Sequence, residues 1–480
     1  MSMDHNQSRR RFIGNILTMA GGSAAPFALN LAAMGQAAAE TATDYKALIC
    51  LYMGGGNDHF NTLLATDSES WNAYSTIRTT KDSGSIALPG VGAVNGVLPI
   101  TPSGNANPGR SFALHPELKP IKALFEQGRA AIVANVGTLI QPTTRLQYRA
   151  GSNLPPKLFS HNDQQSLWQS YKPEGAAFGW GGRMGDMLAA SNSHANFTCI
   201  SAAGNAVFLT GRDVRQYQVG AAGAVPIRTL NNMLFNSPAQ SNTLQQVITA
   251  GGTTNIGKEH AAVVSRSIAA QSLLSGAILA AGSGGVPDPT RYVNPNTGLL
   301  ATNPLAVQLQ TVARIIGGRG GLGAKRQVFY VNLSGFDTHD NERARHGDLM
   351  AKLAHALAYF DAALAALQGT DMRRQVTLFT ASDFGRTFAS NGDGSDHGWG
   401  SHHFVIGGAV KGGDIYGAVP PIGLNHDYDV SSGSLLPTFS VDQYGATLAT
   451  WFGLSASQLT DVFPNLGNFS TRNLGFMSAA

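Results

Sequence analysis

The chain has only two cysteines, Cys50 and Cys199, in 480 residues. Two thiols cannot build a thiolate zinc site, so any metal bound here must use histidine and carboxylate ligands. The cysteines lie far apart in sequence and Cys50 falls inside an apolar, strand-like run, so two buried free thiols are expected in place of a bridge. Charge is also scarce, at 13% of residues. No cluster of Lys and Arg interleaved with aromatics occurs, so nucleic acid is not expected as a partner. Past the N-terminal region, no apolar run approaches the ~20 residues of a membrane span.

Glycine is plentiful, 57 residues, a composition of long turn-rich connections on an ordered scaffold. At the N-terminus, Ser8-Arg-Arg-Arg-Phe-Ile-Gly14, an apolar stretch to about Ala33, and Ala37-Ala38-Ala39 follow the order of an export signal: basic, apolar, small-residue cleavage site. Arg9-Arg10 with Phe12 is similar to the twin-arginine signal, which exports proteins already folded. Asn15, Gly21, Gly22, Pro26 and Asn30 interrupt the apolar stretch, so cleavage of residues 1–39 is expected over retention as an anchor. The expectation is a periplasmic or secreted protein with the twin-arginine machinery as a partner and no stable span. Without those residues, which hold Arg9, Arg10, Arg11 and Asp4, 30 basic and 28 acidic residues remain, a net charge of about +2.

The rest of the chain alternates two patterns. Ala47–Met53, Ala130–Val136, Gln327–Leu333 and Gln375–Ala381 are continuous apolar runs that read as buried strands, with Phe404–Gly407 as a weaker fifth. Helical patterns cover Glu117–Gln127, Leu349–Leu367 and His260–Ile278. Such alternation predicts an α/β domain, a mostly parallel sheet with helices on both faces, over residues 45–460, with 204–304 as a helical insertion capping it.

In parallel sheets ligands gather at the carboxyl ends of the strands. Here those ends carry Asp58, then Asp337 and His339, then Asp383, and the glycine-rich stretch from Ser382 to His403 adds Asp396, His397, His402 and His403. That stretch reads as a loop, neither helix nor strand. Taken singly, an aspartate after a strand is an ordinary helix cap and a histidine in a glycine-rich loop an ordinary solvated residue. Together, at three adjacent strand ends, they outline a metal site. Mixed imidazole and carboxylate suit Zn²⁺, Mn²⁺ or Fe over the all-oxygen preference of Mg²⁺ or Ca²⁺. Ser160 and Asn162 precede a helical pattern, as an N-cap or as a site for a nucleophilic oxygen or bound oxyanion. Arg386 could hold an anion or pair with Asp383. His115 reads as a turn residue, and Gly179-Trp-Gly-Gly-Arg183 as a tight corner.

The motifs LYMGGGNDHFNTL, LFSHNDQQSLWQ, GWGGR, GFDTHDN, SDFGRT, DHGWGSHHFVIGG and SVDQYGATLATWFGL together resemble the twin-arginine-exported bacterial family DUF1501. That family is in turn distantly similar to the alkaline phosphatase and sulfatase superfamily. The resemblance implies an alkaline-phosphatase-like fold, with Asp58, Asp337, His339, Asp383 and either His397 or His402 as ligands of a divalent metal, Zn or Mn before Mg. It implies a nucleophile at Ser160 or His161. Two departures, Phe384 where that superfamily often has histidine and the short Asp337-Thr-His339 spacing, point away from a second metal. The expected activity is metal-dependent hydrolysis of a phosphate or sulfate ester, small or polymeric, with Arg386 neutralising developing charge. The alternative is a non-catalytic exported binding or assembly protein.

Overall fold

The computed structural model describes residues 44–79, 85–227, 230 and 238–479. The expected export signal lies outside the described residues. Among them, the centre of the fold is a ten-stranded sheet. Its strands are β1 (Lys46–Gly54), β2 (Ala130–Gly137), β3 (Cys199–Ser201), β4 (Tyr217–Gly220), β5 (Gly223–Ala224), β6 (Arg326–Ser334) and β7 (Val376–Ser382). A separate hairpin of β8 (Arg386–Ser390) and β9 (Ser395–His397) follows, then β10 (Ser401–Ile406), β11 (Ile415–Tyr416) and β12 (Phe439–Ser440) return to the sheet. The strand order is β11-β2-β10-β7-β1-β6-β3-β4-β5, with β12 beside β2. β7, β1, β6 and β3 run parallel, while β10 runs antiparallel between β7 and β2.

The main strands read as unbroken apolar runs because both faces are covered. Ile49, Leu51 and Met53 of β1 pack with Leu124, Leu309 and Leu353, which lie on α2 (Lys119–Glu126), α6 (Pro304–Gly317) and α7 (Glu342–Ala365). Leu48, Cys50 and Tyr52, pointing the other way, pack with Met184 of α4 (Trp180–Leu188) and Leu448 of α8 (Val441–Phe452). Further helices are α1 (Ser68–Arg78), α3 (His161–Ser170) and the longer α5 (Asn255–Ala277). Within 204–304, β4 and β5 extend one sheet edge and the buried Leu274 of α5 joins the α6 and α7 side of the core. Both cysteines are buried free thiols.

Register places the site. Gly54 lies opposite Ser334 and Met53 opposite Ser382, so β1, β6 and β7 end level, and the loops that follow them start within ~5–10 Å of one another. Two expectations need correction. The stretch from Ser382 to His403 is not a loop, since it contains β8, β9 and the start of β10. Its glycines supply the turns and close approaches while Arg386-Thr-Phe-Ala-Ser390 pairs as a strand. Helix α7 begins seven residues before the expected Leu349, because its first turns bury Glu342 and His346, polar residues that carry no apolar period.

Candidate metal centre

β1 turns at Gly55, whose φ is +117°, and a Cβ there would lie 2.3 Å from the Asp337 nitrogen. Only glycine lets the first loop approach the loop after β6 so closely. At that edge the side chains of His161, Asp337 and His397 converge, with one potential ligand atom from each within 4.8 Å of the others. His161 opens α3, Asp337 follows β6 and His397 ends β9.

Asp337 Oδ1 is the hub. It lies 3.4 Å from His161 Nε2, 3.5 Å from His397 Nε2 and 3.1 Å from His339 Nε2. Ligand atoms 2.0–2.1 Å from a tetrahedral ion sit about 3.3–3.4 Å apart, so the His161 and His397 separations from Asp337 Oδ1 are close to a tetrahedron's edges and the His339 separation is shorter. His339 Nε2 also lies 2.9 Å from His397 Nε2.

The outer ring nitrogens decide which way the lone pairs face. His161 Nδ1 donates to Asp383 Oδ2 at 2.7 Å and His397 Nδ1 donates to the Phe159 carbonyl at 2.8 Å. In each neutral ring this leaves Nε2 as the acceptor turned toward Asp337. His161 Nε2 is buried and makes no hydrogen bond, an orphan that a cation would satisfy. Asp383 is itself fixed, accepting from the Tyr52 hydroxyl at 2.7 Å and the Gly55 N–H at 3.2 Å. The hydrogen bond donated to Asp383 raises the His161 pKa against the effect of burial. Burial lowers that of His397, with neighbouring cationic groups adding to it. Burial works to raise the Asp337 carboxyl, but Arg386 and the histidines hold it below its ordinary value.

The structure brings Asp337, His339 and His397 of the expected ligands together and adds His161. It places Asp383 behind His161 as that ring's hydrogen-bond acceptor. Asp58 goes elsewhere: it is fully buried and held in two-pronged contact by Arg78, Nη1 to Oδ2 at 2.6 Å and Nη2 to Oδ1 at 3.0 Å. His402, in β10, turns into the sheet, where Nδ1 accepts the Asn135 N–H at 2.9 Å and the ring meets His59 at 4.9 Å. Arg386 is fully buried and does not pair with Asp383. It donates to Asp337 Oδ1 at 3.1 Å, to the Gly55 carbonyl at 3.0 Å and to Ser395, locking the Asp337 loop to the hairpin. Ser160 occupies the N-cap position of α3, yet its hydroxyl donates to Asp163 Oδ2 at 2.8 Å and accepts no N–H of the helix backbone.

Arg78, Glu342, His346 and Tyr52 were not singled out from sequence. Glu342 Oε1 lies 3.9 Å from Arg78, and its Oε2 accepts from the Ser395 hydroxyl. Burial, then the Asp58 charge, raises the Glu342 carboxyl well above its ordinary value. His346 Nε2 faces Asn57 Oδ1 at 3.1 Å. A lone arginine ending an aromatic-rich helix is the signal for a buried counterion, but it has the same appearance as a solvated helix end. Tyr52 alternates in an apolar strand and looks like core.

The DUF1501 family model, described as a protein of unknown function, matches residues 45–462, and the chain belongs to that family. No curated protein matches it. Similar solved structures include a Bacteroides thetaiotaomicron protein, BT33494S-sulf, from a locus for metabolism of multiple glycosaminoglycans. It is 9% identical, covers 87% of this chain and 74% of that one, and has a TM-score of 0.33. Ps i-CgsB, solved in complex with k-i-k-neocarrahexaose, is 11% identical over 90% of this chain and 78% of that one, with a TM-score of 0.35. Likeness at these values carries no argument about activity.

Proposed function

We propose that this DUF1501 member is an exported hydrolase of a phosphate or sulfate ester, using a divalent ion of the Zn or Mn kind held by His161, Asp337, His397 and His339. The observation that carries the reading is the set of near-tetrahedral separations around Asp337 Oδ1, with the orphaned His161 Nε2 turned into it. When bound, such an ion supplies a Lewis acid for the ester oxygens. The chain's own groups do the rest. Asp383 and the Phe159 carbonyl hold the two imidazoles with Nε2 inward. Arg386 fixes Asp337. The Ser160 hydroxyl makes no cap bond to the backbone of α3 and so leaves first-turn N–H groups open to a substrate oxyanion. The same hydroxyl, its proton directed at Asp163, is the nucleophile in this reading. Twin-arginine export, which carries folded protein, suits an enzyme loaded before it leaves the cytoplasm.

The competing reading, a non-catalytic exported binding or assembly protein, draws on Arg78, which occupies Asp58 and removes one ligand from the edge. The two separate in one experiment. Protein purified without added metal is analysed for bound ions, then assayed on aryl phosphate and sulfate esters beside His397→Ala and Ser160→Ala. About one ion per chain, with hydrolysis abolished in both variants, supports the enzyme. Folded protein that holds no ion and is inactive on every ester overturns it.

A further inference from the structure

The metal centre does not account for a groove that runs along α7. Two cavities of about 700 and 860 Å³ share Asn95, Pro116 and Glu117 in their linings and so lie side by side. Their common floor is Ala344, Gly347, Ala351, Ala354 and Ala358, spaced three and four residues apart on one face of α7. Fourteen steps of 1.5 Å from Ala344 to Ala358 make that floor about 21 Å long. Segments 85–98 and 287–296 supply walls. At one end the lining includes Asn341, two residues past His339, and Asp393, four before His397. The Asn341 N–H donates to Asp393 Oδ2 at 3.0 Å, which ties the groove's end to the loops that carry the metal centre.

A buried donor faces this space. His115 is 3% exposed and lines the first cavity. Its Nδ1 accepts the Glu117 N–H at 3.1 Å. With Nδ1 accepting that N–H, the ring proton sits on Nε2, and among the described residues nothing accepts it. A turn residue would need only Nδ1. The Nε2–H is therefore left for a ligand.

We propose that this groove binds an oligosaccharide, a linear chain of polyhydroxylated rings. The floor of alanine and glycine lacks the deep apolar pockets into which a docking helix places its anchors. Glu117, Asp288 and Asp393 balance Lys119, Arg291 and Arg343 along the lining, so there is no net field to gather a polyanion or polycation. What the lining offers is paired donors and acceptors: the Asn95 and Asn341 amides, the acids and the His115 Nε2–H. Sugar hydroxyls, each a donor and an acceptor, match that set. In the second cavity Tyr359 donates to the Pro287 carbonyl at 2.7 Å and His355 Nε2 meets Thr290 at 3.1 Å. Their polar ends are tied, so what these two lining side chains have to offer a sugar is ring surface for its C–H faces. The inference deepens the ester-hydrolase reading by naming the polymer class, but the contacts themselves need no ion.

The test uses the full folded chain on a glycan array of neutral, carboxylated and sulfated oligosaccharides, followed by calorimetric titration with the strongest hexasaccharide. Wild type is compared with Ala351→Trp, which fills the floor, and with His115→Phe, which keeps a ring and removes the donor. A hexasaccharide that binds before and after EDTA treatment, and binds about tenfold or more weakly to both variants, is the expected result. Circular dichroism confirms that the variants fold, and Tyr359→Ala gives a third reading should His115→Phe fail to. No glycan binding, binding untouched by Ala351→Trp, or binding lost with EDTA overturns the groove. An oligosaccharide that binds an EDTA-treated chain devoid of esterase activity keeps the groove and removes the hydrolase.

Discussion

Two clusters of acids and histidines sit at the same edge of the sheet, drawn from the same strand-end loops, and they have opposite characters. Around Asp337 three imidazoles face one carboxylate oxygen, and the side chains are 25–44% exposed. Around Asp58 the side chains of Asp58, Arg78 and Glu342 are 0% exposed, and the guanidinium occupies both carboxylate oxygens. The difference lies in what fills the centre. A fixed protein cation closes the inner cluster and makes it a structural tie between α1, α7 and the β8–β9 hairpin. In the outer cluster Arg386 reaches the hub oxygen through one N–H only, Nη1 to Asp337 Oδ1 at 3.1 Å, and three ring nitrogens converge on that same oxygen.

The sharpest way to break the inner cluster is Arg78→Met. It leaves Asp58 buried without its counterion, and a loss of about 3–5 kcal/mol is expected in urea unfolding. Adding Asp58→Asn restores part of it. His397→Ala breaks the outer cluster instead: metal affinity falls more than ~100-fold in chelator competition, beyond the effect of losing a ligand's hydrogen-bond partner. Metal-free stability in the same variant changes by only about 1 kcal/mol. Asp383→Asn acts one step back, through His161, and weakens metal binding about 10–100-fold.

Acid tests the buried histidines. Burial lowers His346 to about 4 and His402 and His403 to about 3, from an ordinary 6.5. A depressed folded pKa means the unfolded chain binds protons first, so stability is full above 6.5 and falls as pH drops toward 4 and 3. Each such histidine contributes a slope of about 1.4 kcal/mol per pH unit in that window. The urea midpoint measured at pH 7 and pH 5 shows it, and His402→Gln flattens it. Glu342 runs the other way, its raised carboxyl favouring the fold below 4.5 and losing that contribution as pH rises through its folded value. The smallest effect is Glu342→Gln at neutral pH, under about 1 kcal/mol in the same assay, because the amide has the carboxyl's shape and its oxygen can still accept from the Ser395 hydroxyl.

β1, β2, β6 and β7 were legible to within a residue or two, because burial on both faces leaves continuous apolar runs and the flanking glycines mark their ends. The convergence of Asp337, His339 and His397 followed from the rule about strand ends. Asp58 obeyed the same rule and still went to a different cluster. Nothing local separates it from Asp337, and its fate is set by Arg78, twenty residues on, reaching back from α1. His402 was misplaced for a topological reason: β10 runs against its neighbours, so its start lies at the carboxyl edge but its side chains alternate into the sheet. Asp383 was recognised as a site residue but not as the acceptor behind His161, since a ligand and a ligand's partner have the same sequence signature.

Anomalous diffraction from crystals of metal-loaded protein tests the central claim most directly. The account predicts one peak about 2.0–2.2 Å from His161 Nε2, Asp337 Oδ1 and His397 Nε2, with Asp58 still gripped by Arg78. A peak beside Asp58, or crystals with no ordered ion at the Asp337 edge, would contradict it.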